Sequence, residues 1–305
     1  MPRSNTLLRF SFRLEIKLST HSQPFGFYIR RGSFIKLAIS NIAWYQDKPI
    51  KDFLKLVQPL GCEGLELAAS IIWEEPANAP KNSVREIRRI VEDAGMKVTG
   101  LQALTFNRPD LRLFGPGSNP DKVLDYFKLQ MDLCKDLGGE VLVYGSPKSR
   151  NRGDVPHEEA YRIAVKFFGN VGEEAGKRGV YFCIEPLGKD ETDFINSLAE
   201  AEKLIEDSGR PDGLGLHIDC KALINEREYM AGYVKKSFGK AKHVHLNDPG
   251  LTAPGSTGFD HHLIKEQLDG SGYARYLSIE MRRKKDDIEG NIVSAINYAK
   301  SIYFS

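Results

Sequence analysis

The 305-residue sequence has no C-x-x-C pair, and its four cysteines, Cys62, Cys134, Cys183 and Cys220, are scattered. That excludes a zinc-finger or disulfide framework and leaves buried, reduced thiols, the usual state in a cytoplasmic protein. No apolar run approaches the ~20 residues that span a bilayer, so no membrane association is expected. Neither G-x-G-x-x-G nor G-x-x-x-x-G-K-[ST] occurs, which removes the two glycine-rich phosphate cradles. A strong charge of either sign is missing as well, the formal net charge being +2. Residues 1–34 hold six Arg or Lys against one acid, Glu15, or +5, so the rest of the chain stands at −3. A mildly acidic body carries no nucleic-acid footprint.

What is present is an ordinary globular composition, 41% hydrophobic and 28% charged, long enough for one large α/β barrel or two medium domains. Residues 1–34 read as a basic N-terminal extension. Its segment "RFSFRLEIKLS" puts Phe10, Phe12, Leu14, Ile16 and Leu18 on one side, a strand pattern and not the amphipathic helix of a transit peptide.

From residue 35 a short apolar run, a polar loop and a longer amphipathic stretch recur about eight times. The strand candidates are "IKLAIS" (35–40), "GLELA" (64–68), "KVTGLQAL" (97–104), "EVLVYG" (140–145), "VYFCIE" (180–185), "LGLHID" (214–219), "KHVHLN" (242–247) and "YLSIE" (276–280). Helix-like segments lie between them, as at 121–138, 158–179 and 197–209, with Gly138, Gly179 and Gly209 where helix-ending glycines belong. Alternating strands and helices imply right-handed crossovers and a parallel sheet. Eight units without a linker predict an α/β fold, a single-domain (β/α)8 TIM barrel over residues 35–305.

In such a barrel the strand C-termini converge on the reactive mouth. Glu185 ends the fifth strand, Asp219 the sixth and Glu280 the eighth, and on the seventh His243 and His245 share parity, with His245 nearer the mouth. Three carboxylates crowded on one rim repel unless a positive charge sits among them. A divalent cation meets that need, and mixed carboxylate and imidazole donors suit Mn²⁺, Co²⁺ or Mg²⁺, and Zn²⁺ less distinctively. Any one of these acids alone reads equally as a helix N-cap. His217 and His243 read either as inward supporting residues or as core histidines, while His21, His157, His261 and His262 fall in loops or the extension and read as surface. After the fourth strand, "GSPKSRNRG" offers Lys148, Arg150 and Arg152, three cations that fit a phosphate or carboxylate. The alternative is a solvated basic loop.

The motifs "IEPLGKDETDFINS", "HIDCKAL", "HVHLND" and "LSIEM" resemble the xylose isomerase-like TIM-barrel family, the sugar phosphate isomerase/epimerase group, and within it the ketose 3-epimerases of the tagatose and psicose type. The resemblance covers roughly residues 35–303. It implies one divalent metal ion held by Glu185, Asp219, His245 and Glu280, with the glutamates Glu185 and Glu280 doubling as catalytic acid and base. It implies further that Glu191, six residues after the first ligand, binds substrate oxygen, and that Glu66 lines the pocket; His217 and Lys148 are added as candidate substrate-binding residues. Two positions depart from the family pattern: Ala222 stands where a His is usual, and Leu251 where an Arg is usual. Both missing groups grip the ketose near its carbonyl, so the sugar stays open.

The expected function is therefore a metal-dependent sugar or sugar phosphate isomerase or epimerase that abstracts a proton next to a carbonyl and passes through an enediolate. A keto-polyol dehydratase on the same site and a non-catalytic sugar-binding relative are the alternatives. The expected partner is a small-molecule sugar or sugar phosphate, with no nucleic acid and no membrane, and a homo-oligomer is left open.

Overall fold

The computed structural model describes residues 35–305, so the basic segment 1–34, with its alternating Phe10–Leu18, lies outside the described residues. Eight parallel strands close on themselves in chain order: β1 (Lys36–Ser40), β2 (Gly64–Ala68), β3 (Lys97–Gln102), β4 (Val141–Tyr144), β5 (Tyr181–Ile184), β6 (Leu214–Asp219), β7 (Ala241–Leu246) and β8 (Tyr276–Ile279). Helices fill the intervals between strands, giving the expected (β/α)8 barrel. Each strand falls within two residues of its expected bounds. β3 stops at Gln102 and not at Leu104, because Ala103 turns into the left-handed region with φ 53°.

The helix boundaries follow from local chemistry. Asn119 accepts a hydrogen bond from the Lys122 amide and starts the helix Pro120–Asp136; Ser197 does the same through Glu200 for Leu198–Asp207. Gly138, Gly179 and Gly209 follow three helices at φ 82°, 72° and 88°, a conformation that costs a residue with a Cβ more than it costs glycine.

The main core lies between barrel and helices. Phe127 from helix Pro120–Asp136 packs on Phe182 of β5 with ring centroids 4.8 Å apart, and Tyr144 and Phe168 close the cluster. Because Phe182 points outward, alternation turns Cys183 inward, and Glu185 two residues later does the same. Inside the barrel the apolar filling at β4 and β5 is Val141, Val143 and Cys183. The interior at β2, β6, β7 and β8 is polar, with buried Glu66, His217, His243 and Ser278. Register aligns these side chains across strands, pairing His217 with His243, Asp219 with His245, and His245 with Ser278.

His261 corrects one expectation. It is fully buried, its Nε2 2.7 Å from Asp248 Oδ1 and its Nδ1 2.8 Å from the Tyr303 hydroxyl. The loop after β7 folds back under the helix Ile288–Tyr303, so a loop position becomes a core position. His262, by contrast, is exposed beside Asp260.

Candidate metal centre

Glu185 sits one residue past β5 and is 7% exposed. Space for its carboxylate exists because residue 145 is glycine: a Cβ there would run into Glu185 Oε2. Burial, and then the charges of Asp219 and Glu280, push the Glu185 carboxyl well above the usual carboxylate range. A group so placed is a proton carrier unless a cation relieves the crowding.

Asp219 closes β6 and serves two masters. Its Oδ1 caps the helix Cys220–Asn225 by accepting from the Ala222 amide at 3.0 Å. Its Oδ2 turns the other way and accepts from Asn247 Nδ2 at 3.1 Å, while the same amide nitrogen reaches Glu280 Oε2 at 3.2 Å. Burial opposes the Asp219 charge, but the Lys221 ammonium and the neighbouring imidazoles more than offset it and hold the carboxyl well below its ordinary range.

His245 links two layers of the site. Its Nε2 stands 3.0 Å from both oxygens of Glu66, and a fully buried carboxylate there requires the N–H on that nitrogen. In the neutral ring Nδ1 carries the lone pair. Burial opposes a second proton, but without a cation nearby Glu66 and Glu280 raise the His245 pKa and favour a proton on Nδ1 as well. Nδ1 faces Glu280 Oε2 at 3.2 Å and Asp219 Oδ2 at 3.8 Å, yet makes no hydrogen bond among the described residues. His217 packs edge-on against His245 with centroids 4.2 Å apart, and both of its ring nitrogens also lack partners. Burial, followed by the neighbouring His245 and His243, pushes the His217 pKa down, keeping the ring neutral.

These orphaned nitrogens test whether a cation fits. One ligand atom from each of Glu185, His217, Asp219 and His245 lies within 4.8 Å of the others, with all four residues buried, and Glu280 joins them through His245 and Asn247. Carboxylates crowded on one spot are unfavourable without a positive centre. A proton on His245 is one such centre, and a divalent ion that takes the Nδ1 lone pair of the neutral ring and an unpartnered His217 nitrogen is another. A second group, Glu66, His243 and His245, is also close enough for an ion. There Glu66 is already engaged: it bonds His245 Nε2 at 3.0 Å and the Ser278 hydroxyl at 2.6 Å, with His243 Nε2 3.1 Å away but outside hydrogen-bond geometry. Burial opposes the Glu66 charge, and His245 and His243 pull its pKa well below the usual range.

The structure thus gathers Glu185, Asp219, His245, Glu280 and His217. Glu66, expected to line the pocket, lies one layer deeper behind His245. Glu191 stands at the rim, paired with Lys221 Nζ at 2.6 Å. Lys148 is exposed on the short helix Pro147–Arg150. Three residues went unremarked in the sequence. Asn247 and Ser278 continue the inward parity of His245 and Glu280, a signal that was there to read. Lys221 had no such signal, because the chain turns helical directly after Asp219. Burial opposes the Lys221 charge, and Asp219, Glu185 and Glu191 together raise its pKa, so it stays an ammonium.

Comparison with known proteins agrees with this architecture. L-ribulose 3-epimerase of Mesorhizobium japonicum is 26% identical over 151 residues, covering 48% of this chain and 50% of that protein, so the match spans half of the relative's length. The 3-dehydro-D-guloside 4-epimerase of Escherichia coli is 20% identical over 271 residues, covering 83% of this chain and 94% of its own. The crystal structure of D-psicose 3-epimerase from Clostridium cellulolyticum H10 superposes with a TM-score of 0.72 at 16% identity, covering 88% of this chain and 99% of that one. The family model for the xylose isomerase-like TIM barrel matches residues 54–302. With the closed eight-stranded barrel and most of the chain accounted for, this protein belongs to the xylose isomerase-like TIM barrel family.

Proposed function

We propose that the chain is a metal-dependent sugar isomerase or epimerase that moves a proton next to a carbonyl. Its sequence relatives include an L-ribulose 3-epimerase, a 3-dehydro-D-guloside 4-epimerase and a protein named as a hydroxypyruvate isomerase, which supports an enzyme of the isomerase type. The observation that carries the reading is the convergence of Glu185, Asp219, His245 and Glu280 from four consecutive strands, with the His245 Nδ1 lone pair turned into the group. In this reading those four residues hold one Mn²⁺, Co²⁺, Mg²⁺ or Zn²⁺ ion. When bound, such an ion polarises a carbonyl and offsets charge that develops on its oxygen.

The protein's own residues do the rest. Glu185 takes or returns the proton on the carbon beside the carbonyl, and Glu280 serves the opposite face. Asn247 donates to Asp219 and Glu280 together and fixes both carboxylates. Glu66 holds the His245 tautomer, with Ser278 holding Glu66 in turn. Lys221 and Glu191 bind substrate hydroxyls at the rim, and His217, neutral and buried, offers an acceptor from below. Metal analysis followed by a panel of ketoses, aldoses, keto-inositols and their phosphates tests the reading. Turnover of any of them that disappears on chelation and returns with metal supports it; turnover indifferent to chelation refutes it.

A further inference from the structure

The turn after β4 ends in a buried charge without a counterpart. Arg150 is 1% exposed, and its Nε, Nη1 and Nη2 have no hydrogen-bond partner among the described residues. A guanidinium does not deprotonate at any ordinary pH, so five donors and a full charge are held out of water unmatched. Burial of that kind is costly unless a partner arrives.

The turn around it is pinned. Ser146 takes the left-handed conformation at φ 42°. The Ser149 hydroxyl meets the Tyr144 hydroxyl at 2.8 Å and Thr105 Oγ1 at 3.2 Å, and the Ser149 carbonyl accepts from the Leu113 amide at 2.9 Å. On the other side, Thr192 Oγ1 donates to Asn151 Oδ1 at 2.7 Å, and Asp193 accepts from the amides of Arg152 and Gly153 at 2.8 and 3.1 Å. These bonds lock the turn to the loop that carries Glu191. The turn lies against the candidate site, since a Cβ at Gly145 would meet Glu185 Oε2, and no carboxylate is hydrogen-bonded to the Arg150 guanidinium among the described residues. Glu191 is engaged by Lys221, and Glu185 belongs to the donor set of the candidate metal centre. Of the other loop cations, Lys148 points to solvent and Arg152 is engaged with Asp193. Arg150 is the cation of this turn left without a partner among the described residues, and the turn lies beside Glu185 at the C-terminal end of the barrel.

We propose that Arg150 binds an anionic oxygen group on the substrate, a carboxylate or a phosphate ester, and thereby selects acidic sugars over neutral ones. The planar fork of a guanidinium matches two oxygens of such a group, and the bond is charge-assisted on both sides. The inference rests on the proposed function for where the reaction occurs, but the anion site itself can be measured separately.

The test is calorimetric titration of the full chain, metal-free and metal-loaded, with malonate, inorganic phosphate and the neutral polyol erythritol. The expected result is saturable binding of malonate or phosphate, at least tenfold tighter than erythritol, with the better anion identifying the end group. Arg150→Met should weaken that anion by about 10- to 100-fold, and Arg150→Lys by less. Arg150→Met should also keep or raise the melting temperature of the ligand-free protein, because it removes an unpaired charge. Absence of anion binding to the wild type, or unchanged binding to Arg150→Met, overturns the proposal. A fall in melting temperature of more than about 4 °C in Arg150→Met overturns it too, since the guanidinium would then be holding the fold together. A protein that binds the anion through Arg150 yet shows no metal-dependent turnover refutes the isomerase reading and leaves the anion site standing.

Discussion

Replacing Glu66 by Gln should cripple the candidate metal centre without changing any of its proposed ligands. Glu66 is fully buried, with His243 Nε2 at 3.1 Å, His245 Nε2 at 3.0 Å and the Ser278 hydroxyl at 2.6 Å. Gln keeps the shape but removes the charge and turns one acceptor into a donor, which then faces an imidazole N–H. His245 escapes that clash by moving its proton to Nδ1, the nitrogen that faces Asp219 and Glu280. The lone pair needed by a metal is lost with it. Supporting residues of this kind are worth about 10- to 100-fold in metal affinity, or about 1.4–2.7 kcal/mol. Stability should fall as well, by about 3–5 kcal/mol, the usual result of deleting one partner of a buried charge pair. Calorimetric metal titration of wild type and Glu66→Gln gives the first quantity, and chemical denaturation of the metal-free proteins gives the second. Ser278→Ala, which deletes one neutral donor and no charge, should cost less in both. A Glu66→Gln protein that binds metal within threefold of wild type would refute the argument that Glu66 sets the His245 tautomer.

In the metal-free protein, burial disfavours the His245 charge, but Glu66 and Glu280 hold its pKa well above 6.5. A raised pKa means that this stabilisation is complete below 6.5 and is lost as pH rises through the raised value. Metal-free protein should therefore melt at lower temperature with rising pH above neutrality, and metal binding should release a proton; a flat melting profile with no proton release contradicts both. Once a substrate is found, Glu185→Gln and Glu280→Gln should each lower turnover by ~10²–10⁴-fold with metal content checked, and the wild-type product should carry solvent deuterium from D₂O. Losses under tenfold at both positions count against these glutamates as the proton carriers. A chain starting at Ser33 should melt within about 2 °C of the full chain, since residues Lys36–Tyr303 already close the barrel; a larger drop in a thermal scan would tie the N-terminal segment to it.

Much of this site was readable from alternation alone, and the reason is geometric. Phe182 faces the helices, so Glu185 must face the mouth, and parity carries the same argument to Asp219, His245 and Glu280. Parity reports the side of a strand but is silent about depth. Glu66 is the third residue of the five in β2, two short of the end at Ala68, whereas Glu185 lies one beyond the end of β5. That difference of one layer separates a carboxylate at the mouth from one that props up His245, and no property of "GLELA" records it. His217 sits low for the same reason, two residues before Asp219. Parity also fails wherever a strand gives way to another period. After Asp219 the chain becomes helical at once, and Lys221 swings onto Glu191. After Gly145 the left-handed Ser146 starts a single helical turn that leaves Lys148 in solvent and drives Arg150 inside. Three neighbouring cations with the same formal charge therefore end in three environments: solvent for Lys148, a salt bridge for Arg152, and an unmatched buried position for Arg150. Chemistry at this mouth is thus decided by where each strand stops, since that point fixes both how deep a carboxylate sits and which following side chain turns inward to face it.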